Sequence, residues 1–147
     1  MLGIKPYIAF PGNCAEAVEF YKNKLGAEVL FTQTYGESPM ADKVTADNQG
    51  KIMHTSIKIG DSVIMACDNV FKENPTTVGD NISLALGSND PAKAETLFTQ
   101  LSDGGTVKMP MQETFWAERF GMLTDKFGIN WMFNSDKKGA DHAKATA

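Results

Sequence analysis

The sequence predicts an α+β protein built of two β-α-β-β-β modules, and three observations lead to this prediction. The order strand, helix, strand and hairpin occurs in residues 1–67 and again in residues 81–135. Both predicted helices begin at a capping residue and end at glycine. The strands between them are rich in β-branched and aromatic residues. Two sheets, each covered on one face by a helix, would leave their other faces to form a concave cleft.

The first module begins with the apolar strand KPYIAF. Asn13 is predicted to cap a helix together with Glu16, as in a capping box, and Gly26 is placed to end that helix. The strand AEVLFTQTY follows, and then a polar loop extends to the next hairpin. In that hairpin, KIMHTSIKI and SVIMAC flank Gly60-Asp61, a two-residue turn signal.

The second module repeats this order with slight residue identity, after a linker at 68–80. NISLALGS reads as a strand, and Asp90-Pro91 supplies an N-cap followed by proline at the first helical position. Gly104-Gly105 is predicted to stop this helix. Three strands follow, namely TVKMPM, ETFWAERFGMLT and INWMFNS, the last two joined by DKFG. We expect a single domain of two modules over residues 1–135 and a polar tail over 136–147.

The composition of the chain argues against two classes of protein, those that bind nucleic acids and those that span membranes. The chain has 147 residues and a net charge of −4, and Arg119 is its one arginine. Nucleic-acid binding is disfavoured, because it usually relies on a basic patch with arginine. No apolar run reaches the ~20 residues that span a bilayer, and the N-terminus lacks a signal-peptide pattern. A cytoplasmic protein without membrane contacts is expected, in which Cys14 and Cys67 stay reduced.

Two stretches carry a family resemblance. FPGNCAEAVEFYKNKLGAE together with QETFWAERFGMLTDKFGINWMF resembles the PhnB-like (YjdN-type) proteins of the vicinal oxygen chelate superfamily, which includes glyoxalase I, extradiol dioxygenases and bleomycin-resistance proteins. The resemblance extends to about Ser135. It implies the fold reached above from capping and periodicity, and it implies a homodimer.

Enzymes of this superfamily usually hold a divalent metal with four His or Glu side chains. By motif position, the resemblance places the four ligands on Pro6, Met65, Asn81 and Met132. A slip of one residue gives Tyr7 or Ile64 instead. Proline offers no donor atom, a thioether is a soft ligand, and one amide is a weak ligand, so no metal and no cofactor are expected.

Two further features of the chain bear on cofactors. Of its two histidines, His54 lies in a predicted strand and His142 lies in the predicted tail, so at most one is available to a zinc, nickel or iron site. Some PhnB-like proteins are labelled methyltransferases. The chain has no glycine-rich strand-turn-helix opening that would bind an adenosyl cofactor, so a methyltransferase is not expected.

Strand alternation predicts which residues of the first module face the cleft. With a two-residue turn at Gly60-Asp61, Ile59 opposes Ser62 and Ser56 opposes Met65. His54 then opposes Cys67. Because Met65 marks the cleft face, His54, Ser56 and Cys67 are predicted to share it.

The same reasoning applied to DKFG as a four-residue turn places Arg119 opposite Asn134. Asn130, Met132 and Asn134 would then share the cleft with Arg119, while Trp131 and Phe133 pack beneath the helix. Three other residues complete the predicted ligand-binding set: Asn81, Ser83 and Trp116.

Several of these residues have a simpler structural alternative. Arg119 could anchor a carboxylate or phosphonate ligand, could be a solvated charge, or could pair with Glu113 or Glu118. His54 could act as a general base, or it could be a hydrogen-bonded structural histidine. Cys14, in the first turn of a helix, could have a lowered thiol pKa or could be a small buried hydrophobe.

Three functions follow from these alternatives. The favoured one is a protein without the usual metal ligands that binds a small molecule in a mixed apolar and polar cleft, with an anion as one candidate ligand. The second is a lyase or isomerase with His54, Glu113 or Glu118 as base. The third, a protein-interaction adaptor, has no sequence feature of its own.

Overall fold

The computed structural model describes residues 2–137, which form eight β-strands and two α-helices. The chain divides into two compact units, with the boundary between Thr77 and Val78. The elements of the first unit are β1 Tyr7–Phe10, α1 Cys14–Leu25, β2 Glu28–Thr34, β3 Ile52–Ile59 and β4 Ser62–Asp68. The elements of the second unit are β5 Leu84–Gly87, α2 Pro91–Leu101, β6 Thr106–Gln112, β7 Ala117–Thr124 and β8 Asn130–Asp136.

Each unit contains one mixed four-stranded sheet. The strand orders are β1-β4-β3-β2 and β5-β8-β7-β6. In both sheets the first strand of the module lies parallel to the last, and the other neighbours are antiparallel. The predicted pair of β-α-β-β-β modules is therefore confirmed. No helix within residues 2–137 has the length and apolar character needed to cross a membrane.

The core of the first unit lies between α1 and one face of its sheet. On β4, Ile64, Ala66 and Asp68 are buried, whereas the alternating residues are only partly covered. Cys14, Ala17, Val18, Tyr21 and Leu25 form the buried stripe of α1, as their spacing predicts. The opposite face of this sheet, with Met65 and Cys67, is called the first open face below.

The N-terminus of α1 differs from the predicted capping box. Asn13 is the N-cap residue, but its side chain makes no capping hydrogen bond. The helix is capped instead by Asp68 of β4, whose buried carboxylate accepts hydrogen bonds from the backbone N–H groups of Cys14 and Ile52, both at 2.8 Å. Gly26 ends the helix in a left-handed conformation with φ of 69°, as predicted.

The N-terminus of α2 in the second unit forms as predicted. The Asp90 side chain accepts hydrogen bonds from the backbone of Ala92 and Lys93, and Pro91 opens α2. Trp131 and Phe133 are buried, and the Phe133 ring packs edge-on against Phe98 of α2 at 5.5 Å between centroids. The face of this sheet opposite α2 is called the second open face.

Some element boundaries differ from the predictions. β5 begins at Leu84 rather than residue 81, and β7 begins at Ala117 rather than residue 113. Asp136 belongs to β8 rather than to a tail. Residues 138–147 of the predicted tail lie outside the described residues.

The hairpin between β7 and β8 has a different register from the predicted one. Thr124 pairs with Asn130 rather than with Ile129, so five residues, 125–129, form the loop. The buried carboxylate of Asp125 holds this loop, because it accepts hydrogen bonds from the backbone of Phe127 and Ile129 and from the indole of Trp131. The one-residue change moves β7 relative to β8, so the β7 side chains from Arg119 to Thr124 face the side opposite to that predicted, whereas a bulge between Ala117 and Arg119 leaves Ala117 in its predicted pairing with Asp136.

Candidate functional site

The first open face carries two rows of side chains that cross the sheet. In one row Tyr7 lies beside Met65, and Met65 lies beside Ser56. In the next row Ala9 lies beside Cys67, and the same register places Cys67 beside His54. The predicted pairings of Ile59 with Ser62 and of Ser56 with Met65 are confirmed. His54, Ser56, Met65 and Cys67 therefore share one face.

The polar groups of these rows contact one another. The Tyr7 hydroxyl lies 3.4 Å from Nδ1 of His54, and the Ser56 hydroxyl lies 3.4 Å from Nε2 of the same ring. The Tyr7 hydroxyl is also close enough to Cys67 to lower the pKa of its thiol. Tyr7 therefore reaches from β1 across β4 to β3. The sequence indicated Tyr7 only as an alternative metal-ligand position and not as a residue of the cleft face. Tyr7 and Ala9 are two residues apart on β1, so their side chains lie on the same side of the strand.

Partial burial raises the pKa values of two groups in this cluster, the Tyr7 phenol and the Cys67 thiol. Burial, together with the hydrogen bond to Cys67, raises the pKa of the Tyr7 phenol to about 12. Burial also raises the pKa of the Cys67 thiol, against the smaller lowering effect of the hydrogen bond from Tyr7. Both groups are therefore protonated near neutral pH, and Cys67 is a poor thiolate nucleophile in this state.

Exposed aromatic rings flank the polar cluster. Tyr7 retains 51% of its exposure and Phe31 of β2 retains 52%. Their ring centroids lie 5.7 and 6.1 Å from that of His54. Large rings left this accessible beside half-buried polar groups are common in small-molecule sites.

The second open face combines amides with thioethers. Asn130, Met132 and Asn134 of β8 lie on this face, as predicted, beside Thr124, Met122 and Phe120 of β7. Asn130 is fully engaged, since its side chain accepts a hydrogen bond from the Thr124 hydroxyl at 2.8 Å and donates to the carbonyl of Ile82 at 3.2 Å. The Oδ1 atom of Asn134 is buried without a hydrogen-bond partner.

Arg119 does not lie on this face, and the prediction that it shares a cleft with Met132 is wrong. It opposes Ser135, on the side of the sheet that carries α2. Its Nε and Nη2 groups donate hydrogen bonds to the two carboxylate oxygens of Glu95, at 2.8 and 2.6 Å. Arg119 therefore has a structural role, but the predicted pairing with Glu113 or Glu118 is wrong, because its partner is Glu95.

Four other residues singled out in the sequence have different surroundings. Trp116 packs edge-on against Phe120 at 5.3 Å between centroids, so its ring adjoins the second open face. Asn81 and Ser83 precede β5 rather than lying within it, and Asn81 is exposed. Cys14 is fully buried, and burial raises the pKa of its thiol to about 12. The effect of burial is thus opposite to a lowered thiol pKa, and Cys14 is a small core residue.

Comparison with known proteins settles the family. Residues 3–133 match the family model of the Glyoxalase/Bleomycin resistance protein/Dioxygenase superfamily. The chain belongs to this superfamily.

Within the superfamily, the chain is similar to PhnB-like and YjdN-like proteins, as its sequence motifs predicted. It is 35% identical over 143 residues to protein YjdN of Escherichia coli, covering 92% of this chain and 96% of that protein. The crystal structure of protein PA1353 from Pseudomonas aeruginosa has 40% identity and a TM-score of 0.82, with 92% and 98% of the two chains covered. The PhnB protein from Bacillus cereus has the same fold at 23% identity and a TM-score of 0.72, with 91% and 99% covered.

The residues at the superfamily's metal positions do not fit a divalent ion. In the first unit, the Pro6 carbonyl accepts a hydrogen bond from the backbone of Met65, so the two positions are neighbours. In the second unit, the residue beside Met132 is Ala85 rather than Asn81. Proline, alanine and methionine side chains supply no oxygen or nitrogen donor. Among residues 2–137, no three His, Cys, Asp or Glu side chains are grouped to hold a metal.

Proposed function

We propose that this protein of the glyoxalase superfamily binds a small, partly apolar organic molecule on the open faces of its sheets, without the divalent ion usual in the superfamily. One observation carries the proposal: where the superfamily's metal ligands are expected, half-buried hydroxyl, imidazole, thiol and thioether groups lie between exposed aromatic rings. Such a surface offers apolar contact area together with a few fixed polar groups. The ligand need not be anionic, because Arg119 is engaged by Glu95.

The proposal is tested by thermal-shift and calorimetric screening of small organic molecules against the purified protein. Phe31→Ala and Phe115→Ala are a matched pair, since both rings are exposed, at 52% and 89%, and only Phe31 lies on the first open face. A molecule that binds this face should lose at least about tenfold in affinity with Phe31→Ala and none with Phe115→Ala. Equal loss in both variants would contradict binding there.

The metal part of the proposal is tested separately by elemental analysis. Protein purified without added metal should contain far less than one divalent ion per chain, and chelation should leave ligand binding unchanged. A stoichiometric divalent ion whose removal abolishes binding would overturn it.

A second candidate is a lyase or isomerase that does not use the superfamily's metal. It is favoured by the arrangement of Tyr7, His54 and Ser56, because a hydroxyl lies 3.4 Å from each ring nitrogen of His54 and could relay a proton. Glu113 is exposed and has no comparable support. A glyoxalase assay with a hemithioacetal should be negative for a binding protein. Clear turnover that His54→Gln abolishes while the fold is retained would establish the enzyme instead.

A further inference from the structure

Two potential metal-binding side chains of the first open face are neighbours. The register of β3 and β4, in which Thr55 pairs with Ala66 and Ser56 with Met65, places His54 beside Cys67. The Tyr7 hydroxyl, which reaches across β4, lies 3.4 Å from Nδ1 of His54. The imidazole of His54 and the thiol of Cys67 are therefore side by side on an accessible face. Neither residue belongs to the set of four metal positions typical of the superfamily.

A third soft donor adjoins this pair. Met65 lies two residues before Cys67 on β4, so both side chains emerge on the same face of the strand. Both are partly covered, which shields them from bulk water without closing the site. Met65 also lies between Tyr7 and Ser56 in its row. The thioether is thus a neighbour of the imidazole and the thiol.

We propose that the first open face binds a soft monovalent metal ion, Cu(I), through Nδ1 of His54, the thioether of Met65 and the thiolate of Cys67. Thiolate and thioether ligands favour Cu(I) over harder divalent ions, and imidazole suits copper as well. On binding, the Cys67 thiol releases its proton to solvent and its sulfur bonds to the metal. The charges of Cu(I) and thiolate then cancel, which suits a half-buried site better than a divalent ion would.

Two neighbouring hydroxyl groups support the coordination. For Nδ1 to bind the ion, the His54 proton must be on Nε2, where the Ser56 oxygen lies 3.4 Å away to accept it. Such outer contacts fix the tautomer and orientation of a ligating histidine. Tyr7 retains 51% of its exposure, so its ring can move aside to admit the ion.

This ion site differs from the superfamily's divalent site, with which it shares only the position of Met65. It also goes beyond the organic ligand proposed above, whose binding is measured without copper.

The test is an anaerobic competition for Cu(I) between the full chain and bathocuproine disulfonate, with Ag(I) as a second probe. We expect one tightly held ion per chain. Cys67→Ser and His54→Ala should each weaken it by about a hundredfold, and Met65→Leu by about tenfold. The matched controls are Met132→Leu, at the corresponding strand position of the second sheet, and Cys14→Ala, which removes the other described thiol. Neither control should change the affinity.

Three results would overturn the ion site. They are failure of the folded wild type to compete for Cu(I), loss of affinity in Cys14→Ala equal to that in Cys67→Ser, and full affinity in Met65→Leu and His54→Ala together. Thermal unfolding of each variant shows whether it is folded. Since one proton leaves per ion near neutral pH, the affinity there should also fall by about tenfold for each unit of pH decrease. A pH-independent affinity would contradict the thiolate ligand.

Discussion

Arg119 of β7 donates hydrogen bonds from Nε and Nη2 to the two carboxylate oxygens of Glu95 on α2, at 2.8 and 2.6 Å. The pair joins the sheet to the helix on the side opposite the second open face. The one guanidinium of the chain is therefore part of the scaffold. A planar, bidentate contact of this kind restricts the helix position more than a single ammonium contact would.

Removal of this ion pair should affect stability and leave ligand binding unchanged. We expect Arg119→Ala to lower the free energy of unfolding by about 1 kcal/mol, since the contact is bidentate but its side chains remain 32% and 46% exposed. A double-mutant cycle with Glu95→Ala measures the coupling by chemical denaturation. Lys22→Ala, which breaks a more exposed single contact with Glu19, is the control and should change stability less. If Arg119→Ala abolished ligand binding, the guanidinium would have to be part of the binding site.

Gly121 of β7 occupies a position where α2 and the sheet are too close for a side chain. A Cβ atom there would lie 2.7 Å from the sulfur of Met111 and 2.9 Å from the ring of Phe98. We expect Gly121→Ala to cost about 2 kcal/mol of unfolding free energy through overpacking. At Gly87, on the edge strand β5, a Cβ would meet nothing within 4 Å, so Gly87→Ala should be nearly neutral. Equal effects in thermal or denaturant unfolding would contradict the packing described here.

The thiol of Cys67 should titrate above an ordinary cysteine. Burial raises its pKa, so the thiolate fraction near neutral pH is small and alkylation is slow. Tyr7→Phe removes the hydrogen bond that partly stabilises the thiolate, so the midpoint of the pH–rate profile should move to higher pH. Iodoacetamide labelling followed by mass spectrometry measures this midpoint, with Ser62→Ala as a control on the same strand. A midpoint that moves to lower pH would contradict the direction of the Tyr7 hydrogen bond.

The homodimer implied by the family resemblance stays a prediction, and the edge strand β2 offers a place to test it. Leu30 and Phe31 remain 50% and 52% exposed on this strand, which has no proline. The other four-stranded sheet ends in β6, which carries Lys108 and Pro110, residues that discourage edge pairing. Leu30→Lys should shift the sedimentation of a dimer to that of a monomer, whereas Val107→Lys on β6 should not. Unchanged sedimentation in both variants would place any dimer contact elsewhere.

Local sequence signals predicted most of the fold. Capping at Asp90, the left-handed glycine at Gly26 and the Gly60-Asp61 turn each depend on a few adjacent residues, and each is present as predicted. The correct first-hairpin register then followed, and with it the shared face of His54, Ser56, Met65 and Cys67. The order of elements was enough to predict two sheets, because each helix must cover one face of its own sheet.

Tertiary contacts decided what local signals could not. A distant carboxylate, that of Asp68, caps α1 in place of Asn13, and the carboxylate of Asp125 lengthens the second hairpin loop by one residue. Because of this one-residue difference, the Arg119 side chain lies on the side of the sheet that carries α2, where it contacts Glu95, and not on the open face. Side chains alternate across a strand with a period of two, so an error of one in register reverses every assignment of face. The sequence alone thus determined which elements form. Hydrogen bonds of two buried carboxylates, from distant residues to Asp68 and from within the hairpin to Asp125, determined how α1 is capped and which residues β7 presents.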